Sequence, residues 1–313
     1  MRMSILITGG AGFIGTFTKN VLKQAGYNVI LVDNFITGDR SNIEAGDHLI
    51  EKDIRDERLY DDLKESEIDA VIHLAAQTSV PDSLNDPVYD ASENIEGTVK
   101  MLQLANRLKV KKFILASSAA VYGDNPACPL KETEALAPTS PYGLSKMTGE
   151  HYVDLLCRQY GIEATILRYA NVFGPKQSKD GEGGVIKIFI DKLLENQTLQ
   201  IFGDGGQTRD FIYVEDIANA HLAAIKGPSG VYNVSTNTET SVNELVEVLT
   251  KLSKGSIPKE YAEPRQGDIY RSCLDNSRIT NSLGWSPQYS FDEGLQKTFD
   301  AFMDIKSLTP SQE

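Results

Sequence analysis

The sequence is poor in three things, and each scarcity closes off a class of function. Cysteine is scarce: of 313 residues only Cys128, Cys157 and Cys273 carry thiols. Odd in number and scattered, they outline neither a disulfide framework nor a metal knuckle, and they suit a reducing compartment. Histidine is scarce too. His48, His73, His151 and His221 show no paired-ligand spacing, so each is expected to be structural and no metal is expected. Positive charge is in deficit, with 31 Lys and Arg against 44 Asp and Glu and a net charge of −13. That balance argues against general binding of nucleic acid or anionic membrane, yet it allows a local basic pocket for one phosphorylated ligand. No run approaches the ~18 apolar residues that a membrane span needs. The chain opens directly on a strand and a glycine loop, which predicts no secretory signal. The expectation is a cytoplasmic protein with no membrane partner and no nucleic-acid partner.

What is present is ordinary in bulk and specific in pattern. Hydrophobic residues make up 41% and charged residues 24%, values of a globular protein with a large core. The length suggests two domains. Up to Tyr169 the apolar pattern alternates between short strands and helices: strands at Ser4–Thr8, Asn28–Asp33, His48–Lys52, Ala70–Leu74, Lys112–Ser117 and Glu163–Tyr169. Helices are expected over Phe13–Ala25, Tyr89–Leu108 and Tyr142–Tyr160. Such alternation predicts an α/β fold with a doubly wound parallel sheet. The expected first domain covers 1–170, with a returning segment near 207–235. The expected second, discontinuous and mixed α/β, covers 171–313. Asn171–Pro175 reads as a turn, Lys176–Gly184 as a mobile loop, and Pro258–Asp268 as irregular.

Three stretches carry chemistry. The turn after the first strand reads GxxGxxG, from Gly9, Gly12 and Gly15. Glycines there let a backbone approach a pyrophosphate, and the following helix N-terminus attracts its charge. Asp33 ends the second strand, where a carboxylate can accept hydrogen bonds from adenosine ribose hydroxyls and would repel an extra 2′-phosphate. No arginine follows it, which points to NAD. Asp53 and Ile54 follow the third strand. Asp53 suits either an adenine amine or the cap of a helix beginning near Asp56. The third stretch is Tyr142-Gly-Leu-Ser-Lys146, just after Pro141. Spacing i, i+4 puts phenol and ammonium on one helix face. A neighbouring cation favours the phenolate, so the pair makes a base for an alcohol proton.

Together TGGAGFIG at 8–15, Asp33-Asn34, HLAAQ at 73–77, SSAAVYG at 117–123, PYGLSK at 141–146 and RYANVFGP at 168–175 resemble the extended short-chain dehydrogenase/reductase family. Within it they are most similar to the NAD-dependent nucleotide-sugar epimerases of the UDP-glucose 4-epimerase type, over nearly the whole chain. The resemblance implies catalytic roles for Tyr142, Lys146 and Ser118. It implies cofactor contacts from Gly9, Gly12, Phe13, Ile14, Gly15, Asp33, Asn34, Asp53, Ile54, Leu74, Ala75, Ala76, Asn94, Ser117, Tyr142 and Lys146. Substrate contacts are implied for Ser118, Asn171, Val185, Arg209, Arg265, Asp268 and Ser272, with the two arginines on a diphosphate. It implies a homodimer joined through the helices near Asn94–Leu108 and Tyr142–Tyr160.

The implied reaction is oxidation of the sugar at C4, rotation of the 4-keto sugar, and reduction on its other face. Dehydratase relatives carry an Asp-Glu pair after the active-site hydroxyl. Here Ala119-Ala120 stand there, and alanine can neither donate nor accept a proton. In that family a residue after the RxGD motif gates the space around C2. A tyrosine excludes N-acetyl sugars and a small residue admits them, and aligned from Arg265 the gate falls on Ser272, with Arg271 or Cys273 there if the alignment slips by one residue. The expected substrates are UDP-glucose and UDP-galactose with their N-acetyl counterparts. A UDP-glucuronate 4-epimerase, with Lys176 and Lys179 as candidate partners of a uronate, or another NDP-sugar epimerase or dehydratase is an alternative. A non-catalytic NAD-binding scaffold is an alternative of another class.

Overall fold

The computed structural model describes residues 2–178, 184–264 and 269–308. In the first half β1 (Ser4–Thr8), α1 (Phe13–Gln24), β2 (Asn28–Asp33), β3 (His48–Glu51), α2 (Leu59–Leu63) and β4 (Ala70–His73) lead to α3 (Val80–Asn85), α4 (Pro87–Ala91), α5 (Gly97–Arg107), β5 (Lys112–Ser118), α6 (Pro141–Tyr160) and β6 (Glu163–Tyr169). There follow β7 (Asn171–Phe173), α7 (Val185–Leu194), β8 (Leu199–Phe202), β9 (Thr208–Arg209), β10 (Phe211–Tyr213), α8 (Val214–Lys226) and β11 (Gly230–Val234). The last elements are β12 (Thr240–Ser241), α9 (Val242–Ser253), β13 (Lys259–Ala262), α10 (Ser277–Leu283) and α11 (Phe291–Leu308).

The main sheet is parallel and seven-stranded, in the order β11-β6-β5-β4-β1-β2-β3. Period-two alternation sends Ile5 and Ile7 to one face and Leu6 to the other. On the first face they meet Leu22 of α1 and Ile217 and Ala220 of α8. On the second, Leu6 joins Met101 of α5 and Val153 of α6. Burial on both faces is why the central strands β1, β2 and β4 are mostly Ile, Leu, Val and Ala. A third core, Phe189, Ile201, Phe211, Leu245 and Leu295, binds α7, β8, β10, α9 and α11 beside the sheet. The chain leaves β1 for β2 on one side and later for β4 on the other. This reversal opens the crevice in which ligands of doubly wound sheets bind.

Three expectations change. The helix expected over Tyr89–Leu108 is interrupted: α4 ends at Ala91, a π-turn covers Ser92–Glu96, and α5 starts at Gly97. A Cβ on Gly97 would lie 2.6 Å from Ile54 Cδ1, so the helix stands close to the sheet edge there. The turn expected at Asn171–Pro175 contains β7, paired in parallel with β10. The irregular stretch expected at 258–268 contains β13, paired in parallel with β8. β13 is a mostly exposed edge strand, so its Lys-Glu-Tyr-Ala carries no apolar alternation to read.

Candidate active site

The helix α6, which carries Tyr142 and Lys146, is positioned from its first turn. Ser140 caps α6, its hydroxyl accepting the Gly143 N–H at 3.1 Å, and Pro141 occupies the first helical position, where no N–H is missed. A Cβ on Gly143 would lie 2.6 Å from the Ala120 carbonyl oxygen, so the helix start is packed against the segment after β5. β5 ends at Ser118, whose hydroxyl accepts the Ala120 N–H at 3.2 Å and opens the 3-10 turn Ala119–Tyr122. One turn up the helix, the Lys146 ammonium donates to the Ala116 carbonyl at 3.2 Å and lies 5.8 Å from the centre of the Tyr142 ring. Ser118, Tyr142 and Lys146 line one cavity of about 1120 Å³. That volume exceeds the ~300–1,000 Å³ of a typical small-ligand pocket, which suits a cofactor and a substrate together.

At the far end of the same cavity lie Gly9, Gly12, Phe13, Ile14 and Gly15, with Asp33 and Asn34 beside them. Gly9 has φ +68, and a Cβ there would lie 2.9 Å from the Ala75 nitrogen. A Cβ on Gly15 would lie 2.1 Å from the Gly9 carbonyl oxygen. The glycine turn and the Leu74-Ala75-Ala76 wall therefore touch at the point where the strand order reverses. Asp33 accepts the N–H groups of Ala11 at 2.9 Å and Phe35 at 2.8 Å. Burial raises its pKa, and these two donors oppose the rise. Both its oxygens keep lone pairs for further donors. A bare backbone turn at a helix N-terminus, an acceptor carboxylate and a flat apolar wall fit the expected dinucleotide.

Two expected cofactor contacts stand elsewhere. Asp53 accepts from Arg55 at 2.7 and 2.8 Å and from Asn34 at 3.1 Å, and Arg55 chiefly holds its pKa low. The adjacent Ile54 is on the wall, and α2 begins at Leu59, too late for Asp53 to cap it. Asn94 is buried within the π-turn, behind the cavity. Its amide oxygen accepts the Gln77 N–H at 2.8 Å. Its nitrogen lies 3.0 Å from the Gln77 carbonyl and 3.0 Å from Ser145 Oγ on the catalytic helix. Ser117 is on the wall, and its hydroxyl donates to Glu150 at 2.5 Å.

At the substrate end Asn171, Val185, Arg209 and Ser272 all line the cavity. Arg265, Asp268 and Lys179 lie outside the described residues. Lys176 donates to Asn42 Oδ1 at 2.6 Å, beside the cofactor end, and is not on the wall. Ala119 and Ala120 are on the wall, so neither of these two positions offers a proton donor. Gln77, Tyr169 and Lys192, given no role by sequence reasoning, also line the cavity, as does Arg271 next to Ser272. Arg271 is paired with Glu239 at 2.6 Å, a partner 32 residues away that no local pattern announces. His73 and His221 are buried against Thr8 and Thr18, and burial lowers both to about 3, so both are neutral.

Comparison with known proteins agrees with this geometry. Residues 5–235 match the model of the NAD dependent epimerase/dehydratase family. The chain is 44% identical to a putative UDP-glucose 4-epimerase of Methanocaldococcus jannaschii, over 94% of this chain and 96% of that one. The structure of UDP-glucose 4-epimerase from Thermotoga maritima with UDP-glucose superposes with a TM-score of 0.93 at 39% identity, covering 97% of this chain and 99% of that one. The structure of UDP-N-acetylglucosamine 4-epimerase from Methanobrevibacter ruminantium, in complex with UDP-N-acetylmuramic acid, superposes with a TM-score of 0.92 at 35% identity, covering 97% and 100%.

Proposed function

The chain belongs to the NAD-dependent epimerase/dehydratase family and is an NAD-dependent UDP-sugar 4-epimerase, and from that premise we propose that it interconverts UDP-glucose with UDP-galactose and UDP-N-acetylglucosamine with UDP-N-acetylgalactosamine. The observation that carries the sugar assignment is Ser272 on the wall of the cavity that also holds Tyr142. A small hydroxymethyl side chain there leaves room for an acetamido group at C2.

The roles we propose are those the family resemblance implies, and the positions of the described residues support them. The glycine turn, Asp33 and the Leu74–Ala76 wall hold NAD. NAD, when bound there, would supply the two-electron oxidation at C4 and its reversal. Tyr142 accepts the proton of the C4 hydroxyl and later gives it back. Ser118 bonds the reacting oxygen, and the Lys146 ammonium favours the phenolate. Arg209, together with Arg265, anchors the diphosphate while the sugar turns over. With alanine at 119 and 120, those two positions supply no acid to remove water across C5 and C6. Lys176, the described candidate for a uronate partner, is engaged with Asn42.

The functional unit we propose is a homodimer. Leu144, Tyr152 and Leu155 form one exposed stripe on α6, and Leu84 and Val88 add exposed apolar surface on α3 and α4. Light scattering after size exclusion should give twice the chain mass, and Leu155→Glu should halve it.

The deciding experiment is proton NMR of the purified protein with UDP-glucose, UDP-N-acetylglucosamine and UDP-glucuronate offered separately and no cofactor added. Inversion at C4 of the first two supports the reading. Turnover confined to UDP-glucuronate, or an accumulating dehydrated product, overturns it.

A further inference from the structure

Beneath the catalytic residues lies a buried ionic cluster that the reaction above does not use. Glu150 and Arg168 are 3% and 4% exposed. Arg168 Nε donates to Glu150 Oε1 at 2.9 Å and Nη2 to Oε2 at 2.7 Å, a two-point pairing. Ser117 adds a third donor to the carboxylate. Arg168 Nη1 also donates to the Tyr122 hydroxyl at 2.9 Å, and that hydroxyl donates to Asn233 Oδ1 at 2.7 Å. Ser117, Arg168 and Asn233 are neighbours in register across β5, β6 and β11. A buried ion pair is seldom the most stable filling for such a site; apolar residues of the same volume often do as well.

The position of Glu150 explains the choice. It stands one turn beyond Lys146 and two beyond Tyr142 on the same face of α6. β5 addresses this face with consecutive residues. The Ala116 carbonyl takes Lys146, the Ser117 hydroxyl takes Glu150, and Ser118 lines the cavity. Resting on the epimerase reading, we propose that Glu150 and Arg168 are positioning residues: their pair fixes the catalytic helix on the sheet, and Arg168 cancels a carboxylate charge that would otherwise oppose ionisation of Tyr142. Glu150 without Arg168 leaves a negative charge near the phenol and disfavours the phenolate. Arg168 without Glu150 does the reverse.

Other groups that face the Tyr142–Lys146 pair are the same in every variant below. They are His73 on β4, neutral; Asp90 on α4, its pKa raised by burial; and Tyr169 on β6, raised likewise. Tyr122 and Glu132 meet Arg168 from the far side.

The test titrates the Tyr142 phenol by ultraviolet difference absorbance, with Tyr142→Phe as the blank, and follows the acid limb of kcat/KM. Glu150→Gln should move both downward and Arg168→Met both upward, each by on the order of one pH unit. The double variant should return to within a few tenths of the parent, and Arg168→Lys, which keeps the charge, should not move. Shifts of the same sign in the two single variants, or loss of rate with no shift in any of them, overturn the proposal. If Arg168→Met does not fold, Glu150→Gln and Arg168→Lys decide, since one removes a charge and the other keeps it. The phenol titration needs no sugar. If the shifts appear but no UDP-sugar is turned over, the functional reading fails and the electrostatic one stands.

Discussion

The two ends of the cavity are built differently. The cofactor end is made mostly of backbone: three glycines, a wall of small residues, and Asp33 held by two N–H groups. It rests on a seven-stranded sheet packed on both faces. The substrate end is made of side chains from separate segments, Asn171, Val185, Arg209, Arg271 and Ser272, among two-stranded sheets. The first has little freedom to change without losing its shape. The second can exchange a side chain and select another sugar on the same frame.

The comparison breaks most sharply at Gly15. Gly15→Ala places a methyl 2.1 Å from a backbone oxygen that cannot swing away. It should cost about 1–3 kcal/mol or more in thermal or denaturant unfolding and abolish NAD binding. If Gly15→Ala binds NAD normally by fluorescence titration, the cofactor end is looser than its geometry says.

Next in size is Tyr142→Phe, which removes the base and leaves both ends intact. Turnover should fall roughly 10²–10⁴-fold while NAD affinity changes little. An unchanged rate would favour the scaffold reading.

At the substrate end, Ser272→Tyr should lower kcat/KM for UDP-N-acetylglucosamine about 10–200-fold and spare UDP-glucose, with no change in thermal midpoint. Full N-acetyl turnover in this variant would remove Ser272 from the specificity argument.

One contact ties the ends together. Lys176 follows β7 of the substrate half and bonds Asn42, whose own amide holds the Ala11 carbonyl in the glycine turn. Lys176→Met should speed NAD release several-fold in stopped-flow displacement, without altering which sugar is accepted.

The smallest effect is acid stability. At the cofactor end, against the upward push of burial, Lys19 and Lys23 hold Asp47 down to about 2; at the substrate end Arg271 chiefly holds Glu239 down to about 2. A carboxylate with a depressed folded pKa stabilises fully above its unfolded value near 4. That contribution is lost as pH falls through the folded one. Asp47→Asn and Glu239→Gln should each flatten the fall in thermal midpoint between pH ~4 and ~2. Asp47 pairs with Lys19, whose side chain is fully buried, while Arg271 is half exposed, so Asp47→Asn should flatten it more.

Much of this was legible in the residues because its signals are local. The central strands β1, β2 and β4 are mostly Ile, Leu, Val and Ala. The glycine turn is seven residues long, Gly9 to Gly15, and Tyr142 and Lys146 share a helical turn. The misreadings had distant causes. β7 is a strand only because β10 lies beside it, and β13 because β8 does. The helix around Asn94 reads as continuous, but a π-turn interrupts it, and the Asn94 amide bonds Gln77 and Ser145, 17 and 51 residues away. The pairing of Arg271 could not be read, because its partner, Glu239, is far off in the chain.

The sequence by itself determined the class of chemistry, since a base, a dinucleotide turn and the absence of a dehydrating acid are properties of residue types at short spacing. Only the tertiary structure decided which of those residues share one cavity, where the charge of Glu150 goes, and which groups Asp53 and Asn94 bond. Hydrogen bonds and ion pairs between segments tens of residues apart exist only once the sheet has fixed the distances between them, and no pattern along the chain encodes a distance across it.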